Sequence, residues 1–502
     1  MAYRKPNLHW IGCAHKILEV IGMRHVLHAK NVLKRLDPGI CVTILFLAIS
    51  AGYVFGDALD QRIQQEMARQ DVPGLTLAIV KHGKIVRLSA YGYADLEWHS
   101  KTTNNTRFEI ASISKMFTGA AIRILIEQGK LNPDELVSQY LENVPESWKS
   151  LKVRHLLTMS TGLDDDWGTD LIPYNADVTT PTNNVDMLKM FFQMKPVAAI
   201  GAEFHYSSPG YAILGMIVEK ISGQPLSQFI AEQIFKPSEM TQSSFIDNFA
   251  IIPERAQGYR KSNGQIVKGW YLGQYLHSRP DVGVLTTAHD LALWIIALEQ
   301  HKIVKDLDKL WEPTVADSGR PLDYNYGWFV DTLLGHRRLS HAGGYRTGFH
   351  TFIARYPDDD LSVIVLTNCD FSDIRNYALF ATQQFIKDLP DPNSLSTKTD
   401  DDPAESAAVI AVVQSLSQGK LDSTMMNADA LEPLEISEVA DFLKSVESIT
   451  FAGRGRLPET LHIHGHNLRD YIILKLHVEK SDYFLTVYRD NAGKIAFVEQ
   501  TT

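Results

Sequence analysis

Apolar positions along the chain change their spacing several times, and each change marks an element. Leu75–Lys81 and Lys84–Tyr91 alternate apolar and polar residues on either side of His82-Gly83, which predicts a β-hairpin. Residues 59–69 (LDQRIQQEMAR) repeat at helical spacing before it, and Pro73-Gly74 breaks that pattern. Over 112–128, Ile113, Met116, Phe117, Ala120, Ile124 and Leu125 fall on one side of a long helix, with Gly129 as its stop. Residues 130–300 read as largely helical with polar loops. Strand patterns return at 326–332, 337–342, 347–356 and 361–367, and a helix at 373–387 closes the unit. Strands at both ends of a helical middle predict an α+β fold in which one sheet is assembled from both ends, flanked by helices, with an inserted helical subdomain.

Two further segments lie outside that unit. Residues 389–405 (LPDPNSLSTKTDDDPAE) are rich in Pro, Asp and Ser and read as a linker. Beyond it, helices near 404–417 and 436–444 precede strands near 447–453, 460–464, 470–478, 482–489 and 494–499, with a turn at Asp490-Asn491-Ala492-Gly493. A small α+β domain over 406–502 is expected. At the other end, residues 1–39 carry Arg4, Lys5, Lys16, Arg24, Lys30, Lys34 and Arg35 against only Glu19 and Asp37. The apolar run Ile40–Gly56 follows, and as a helix it would reach roughly 25 Å, the short edge of a membrane span. Basic residues before the run and Asp57 after it direct the rest of the chain outward. The run reads either as an anchor or as a cleaved signal, with Ala48-Ile49-Ser50 at the cleavage position. A periplasmic or extracytoplasmic location is expected. The division is therefore 1–56, 57–388, 389–405 and 406–502.

Composition narrows the function. The chain has 502 residues, 45% of them hydrophobic and 22% charged, which is globular and large enough for more than one core. Its net charge of −10 leaves no basic excess to neutralise phosphates, so nucleic acid is not expected as a partner. Cys13, Cys41 and Cys369 form neither a zinc pattern nor a disulfide framework. His462, His464 and His466 recur at period two on one strand, but no carboxylate or cysteine accompanies them. Asp164-Asp165-Asp166 reads as a solvated turn. No metal and no organic cofactor is expected.

The chemistry resides in three short stretches. Ser112-Ile113-Ser114-Lys115 is an S-x-x-K motif. At a helix start, residues three apart share a face, so a lysine amine reaches a serine hydroxyl. The helix N-terminus favours an alkoxide, and burial of a lysine disfavours its charged form, which makes it a base. With its flanks FEIASISKMFTGAAIRILIEQGKL and VPGLTLAIVKHGKIVRLSAYGYAD, this stretch resembles the serine β-lactamase and penicillin-binding-protein superfamily, of the class C-related type. The resemblance covers roughly residues 60–388 and implies the antiparallel sheet of that fold. It also implies a serine hydrolase acting through an acyl-enzyme, with Ser112 as nucleophile and Lys115 as base.

Two more stretches extend the resemblance. Tyr206-Ser207-Ser208 is similar to the family's Y-x-N loop, which implies a proton-shuttling role for Tyr206 and a substrate- and lysine-holding role for Ser208. A serine offers one donor where asparagine offers two. His341-Ala342-Gly343-Gly344 is similar to the K-T-G strand in its H-x-G form. Histidine is only partly charged near neutrality, so it grips a substrate carboxylate less firmly than lysine does, and it can orient Tyr206 or donate one hydrogen bond. Gly343 clears space where substrate would lie, and the N–H groups of Ser112 and Gly344 are expected to form the oxyanion hole. Met159 stands where relatives often have histidine, in VRHLLTMSTGL. The departures at Ser208 and His341 favour an ester, amide or peptide substrate over a β-lactam antibiotic. The second reading is a ligand sensor or assembly protein that keeps the fold without turnover, and it is motivated by the extra domain.

Overall fold

A computed structural model describes residues 58–163, 183–194, 196–272, 278–319, 321–386, 389, 400–420, 422–427, 436–456, 462–463, 466–478 and 481–500. The basic N-terminal segment, the apolar run at 40–56, Asp164–Asp166 and most of the linker lie outside them, as do the side chains of His462, His464 and His466. Among the described residues no helix is long and apolar enough to cross a membrane.

Helix α1 spans 58–70. The hairpin that follows joins β1 (Gly74–Lys81) to β2 (Lys84–Asp95). Its two turn residues, His82 and Gly83, both hold positive φ (51° and 64°), the backbone that matches the twist of a two-residue hairpin. After β3 (Ser100–Lys101) the chain leaves the sheet, and it returns as β4 (Tyr324–Asn325), β5 (Trp328–Leu333), β6 (His336–Tyr345), β7 (Phe349–Tyr356) and β8 (Leu361–Thr367). The eight strands run β4-β5-β6-β7-β8-β1-β2-β3, and every pairing is antiparallel. The seam is the β1–β8 ladder, where Leu75 faces Thr367 and Lys81 faces Leu361. Both strands are buried almost throughout, as central strands covered on both faces must be.

Three helices fix the site against this sheet. Helix α2 (Ser114–Glu127) is buried nearly all round, so it is a core helix and not an amphipathic surface one. It is pressed against the β4–β5 turn. A Cβ on Gly119 would stand 2.2 Å from the Tyr326 carbonyl oxygen, and one on Gly327 would stand 2.6 Å from the Lys115 backbone. Helix α3 (Ser208–Ser222) starts with Ser207 accepting from the Gly210 N–H and ends at Gly223, whose φ of 72° suits glycine. Helix α4 (Ala288–Glu299) is capped by Thr287, which accepts from the Asp290 N–H, and its Trp294 packs on Phe117 and stacks on Trp328. Helix α5 (Ile374–Thr382) follows β8.

The middle is less helical than its pattern suggests. Ser244–Phe245, Val284–Thr286 and Phe108–Glu109 form a three-stranded sheet beside the nucleophile turn, and Tyr259–Ser262 pairs with Gln265–Lys268. Strands of two to four residues are too short to show a period. At the C-terminus, α6 (Pro403–Leu416) and α7 (Ile436–Lys444) accompany β9 (Ser448–Arg456), β10 (His462–Ile463), β11 (His466–Val478), β12 (Ser481–Asp490) and β13 (Ile495–Gln500). Val409, Val413, Leu416, Ile472, Leu474 and Val487 form its own core. The Tyr488 hydroxyl accepts from the Leu334 N–H at 3.2 Å, at the β5–β6 turn.

Candidate active site

Ser112 sits in a single 3₁₀ turn, Ala111–Ile113, that leads directly into α2. The residue before it, Ala111, is buried with φ at 46°, a left-handed backbone that costs a non-glycine residue about 1–3 kcal/mol and persists only where surrounding contacts impose it. Those contacts are visible. The Thr351 hydroxyl on β7 lies 3.0 Å from the Ile110 carbonyl oxygen, the Ser114 hydroxyl accepts from the Val284 N–H at 3.0 Å, and the Thr118 hydroxyl donates to the Pro280 carbonyl at 2.8 Å. The turn is therefore held on both sides.

Lys115 is fully buried, and its amine has three oxygen neighbours. Nζ lies 3.0 Å from Ser112 Oγ, 3.2 Å from Ser208 Oγ and 3.3 Å from the Asp281 carbonyl oxygen. The structure thus brings Ser112, Lys115 and Ser208 together, and Ser208 touches the lysine as the Y-x-N resemblance implied. Tyr206 completes the group. The Lys115 amine stands 5.0 Å from the centre of its ring, which lies 6.1 Å from the His341 ring and 6.4 Å from Tyr324.

Two expectations need correction. The first concerns the charge of His341. Its side chain is buried, with Nδ1 2.5 Å from the Ala342 carbonyl and Nε2 3.0 Å from the Tyr324 hydroxyl. A carbonyl only accepts, so Nδ1 carries the hydrogen and Nε2 receives the tyrosine's. Burial, with Lys115 adding to the effect, pushes the imidazole down to about 3. His341 is neutral with both nitrogens engaged, so it holds no partial charge for a carboxylate. Its ring stands among Tyr206, Tyr324 and Phe329. The second correction concerns Gly343. A Cβ there would stand 2.2 Å from the Ile110 carbonyl oxygen and 2.4 Å from the Thr351 hydroxyl, so this glycine lets β6 approach the nucleophile turn. A Cβ on Gly344 would meet nothing closer than 3.5 Å, from His350. β5 pairs with β6 only as far as Ser340, so among the described residues the other edge of 341–345 has no strand partner.

The depressed histidine has a consequence for stability. Free histidine titrates near 6.5 and His341 near 3, so between those values the unfolded chain binds a proton that the fold does not. This contribution is fully present above 6.5 and is lost as pH falls through 6.5 toward 3. Chemical denaturation between pH 4 and 6 is expected to show a steeper pH dependence in the wild type than in His341→Gln, by up to about 1.4 kcal/mol per pH unit. Equal slopes would contradict the assignment.

Several residues of the site have no motif. Asp281 is completely buried and paired bidentately with Arg279, at 2.9 and 2.7 Å. Burial alone would raise its carboxyl, but Arg279 and then Lys115 more than offset that, and it is held below the usual carboxylate range. The pair braces the loop whose carbonyls receive Lys115 and Thr118. The sequence signal was opposite charges two residues apart, Arg279-Pro280-Asp281, ahead of an apolar run. Tyr324 and Thr351 gave none.

A mixed sheet-and-helix unit with a lysine amine held on the hydroxyl of a serine one turn earlier has the architecture of the serine β-lactamases and penicillin-binding proteins. The chain belongs to the beta-lactamase family, whose model, described as Beta-lactamase, matches residues 59–384. Protein flp of Staphylococcus aureus (strain MRSA252) is 27% identical over 322 residues, which span 62% of each chain. Penicillin-binding protein 4* of Bacillus subtilis (strain 168) is 27% identical over 315 residues, 58% of this chain and 67% of that one. This chain thus spans about three-fifths of the length of flp. In fold it is similar to the octameric penicillin-binding protein homologue from Pyrococcus abyssi, with a TM-score of 0.58 and 22% identity over 87% of this chain and 96% of that one.

Proposed function

We propose that the chain is a serine hydrolase that cleaves an uncharged ester or amide through an acyl-enzyme on Ser112. The observation that carries this reading is the buried Lys115 amine at 3.0 Å from the Ser112 hydroxyl. Ser112 Oγ attacks the substrate carbonyl carbon as its proton passes to Lys115 Nζ. The carbonyl oxygen takes up the negative charge and receives hydrogen bonds from the Ser112 and Gly344 N–H groups, each such donor being worth about 3–4 kcal/mol in the transition state. As the carbonyl re-forms, the bond to the leaving oxygen or nitrogen breaks, and that atom takes a proton from the Tyr206 hydroxyl. Tyr206 regains one from Lys115. Water then attacks the acyl carbon as its proton passes to Lys115 Nζ, and the bond from that carbon to Ser112 Oγ breaks as Oγ takes the proton from Lys115. No step requires a cofactor.

The substrate preference follows from the two departures. His341 is neutral and has no nitrogen left to donate, and the Ser208 hydroxyl already faces Lys115. Neither position offers a cation for the carboxylate that a β-lactam or a D-Ala-D-Ala terminus carries. A short-chain nitrophenyl ester is therefore expected to exceed a chromogenic cephalosporin in kcat/KM by at least about tenfold, the loss of one charge-assisted contact. A clear win for the cephalosporin would reverse the preference.

A further inference from the structure

Met159 is fully buried and holds φ at 55°, a left-handed backbone that is rare for a side chain of its size. In that conformation its carbonyl and its thioether both reach the loop that carries Tyr206. The Met159 carbonyl accepts from the His205 N–H at 2.7 Å, and its Sδ accepts from the Ser207 N–H at 3.1 Å. The N–H groups of the residues on the two sides of Tyr206 are thus bound to one residue. Beyond them Ser207 caps α3, so the loop is pinned at Met159 and again at the helix start. The bed beneath is equally close-fitting. Gly201 N–H donates to the Ser160 carbonyl at 2.7 Å, Val197 N–H donates to the Gly162 carbonyl at 2.8 Å, and a Cβ on Gly162 would stand 2.2 Å from the Ala198 oxygen.

We propose that Met159 is a positioning residue whose carbonyl and sulfur together hold the Tyr206 hydroxyl in place for proton delivery to the leaving group. This rests on the acyl-transfer reading above, in which Tyr206 is the donor. Sulfur is a weak acceptor, but the Ser207 N–H it receives is completely buried, and a buried donor left without a partner forces the backbone to move or to bear the desolvation cost. A leucine at 159 fills similar volume and offers no acceptor. The Tyr206 ring lies within 6.4 Å of the His341 and Tyr324 rings and 5.0 Å from the Lys115 amine. A shift of the 205–207 backbone therefore reaches the proton path before it reaches Ser112.

Leaving-group dependence separates this role from a merely structural one. Nitrophenolate departs without a proton, whereas an alkoxide needs one. In Met159→Leu, kcat/KM on an alkyl butyrate is expected to fall about 10- to 100-fold, the cost of a misplaced proton donor, while 4-nitrophenyl butyrate changes about threefold or less. Met159→Gln keeps a carbonyl acceptor at similar reach and is expected to restore most of the alkyl-ester rate. Ser112 labelling by a fluorophosphonate, which expels fluoride, is expected to be unchanged in the Met159 variants. If the leucine variant does not fold, Met159→Gly, which accepts the left-handed backbone and lacks the acceptor, takes its place. Tyr206→Phe is the reference and is expected to show the same split, larger. Equal losses on both esters at position 159, beside a clear split in Tyr206→Phe, would overturn the role of Met159 and leave the acyl-transfer reading standing. No split in Tyr206→Phe would remove Tyr206 as the donor, and Met159's role with it.

Discussion

Replacing Ser112 with alanine is expected to lower kcat on the best ester by a factor on the order of 10⁶, as loss of the nucleophile does in other serine hydrolases. The fold should survive the change. Ser112 Oγ has Lys115 Nζ as its neighbour, the side chain is only partly buried, and alanine fits the 3₁₀ turn. The melting temperature should move by no more than a few degrees, since substitutions away from a packed core stay within about 1 kcal/mol. A variant that is folded and inert places the loss in the chemistry. Turnover near the wild-type level would remove Ser112 as nucleophile.

Lys115→Met is the second large effect. The thioether retains most of the stem volume and removes the amine from its three oxygen neighbours. A fall in kcat of roughly 10³–10⁶ is expected, because an unactivated serine hydroxyl is a weak nucleophile. Stability responds to opposing terms. The Ser208 hydroxyl and the Asp281 carbonyl each lose a hydrogen-bond neighbour, and the desolvation of a buried amine is relieved. The sharper readout is non-additivity. The double variant with Ser112→Ala should be no slower than the worse single variant, because the two groups act as one unit. Independent losses that multiply would contradict a shared proton transfer.

What the sequence made legible and what it hid divide along physical lines. The hairpin at His82-Gly83, the sheet built from both ends of the unit and the strands of the C-terminal region follow from local patterning, and the structure reproduces them to within a few residues. Helical spacing lets Ser112 and Lys115 meet, and the resemblance of the flanking stretches is what singled out this S-x-x-K. Ser208's contact with Lys115 came from the resemblance and holds in the geometry. The charge state of His341 was not legible. It depends on burial and on Tyr324, seventeen residues earlier, which no local pattern links to it. Gly343 was assigned to the substrate because a sequence cannot show what stands opposite a strand, and the Ile110 carbonyl stands there. The left-handed backbone at Ala111, the Arg279–Asp281 pair and the thioether of Met159 are likewise products of tertiary contact, and each supports a residue that a motif had found.

An activated serine at position 112 is the centre of the account, and its reactivity can be read directly. The full chain is incubated with a fluorophosphonate, and intact mass is measured beside a Ser112→Ala control. The expected result is one adduct on the wild type that maps to Ser112 and is absent from the control. No adduct on folded protein, or an adduct that persists in the control, would contradict an acyl-transfer enzyme at this site and favour a sensor or assembly protein that keeps the fold without turnover.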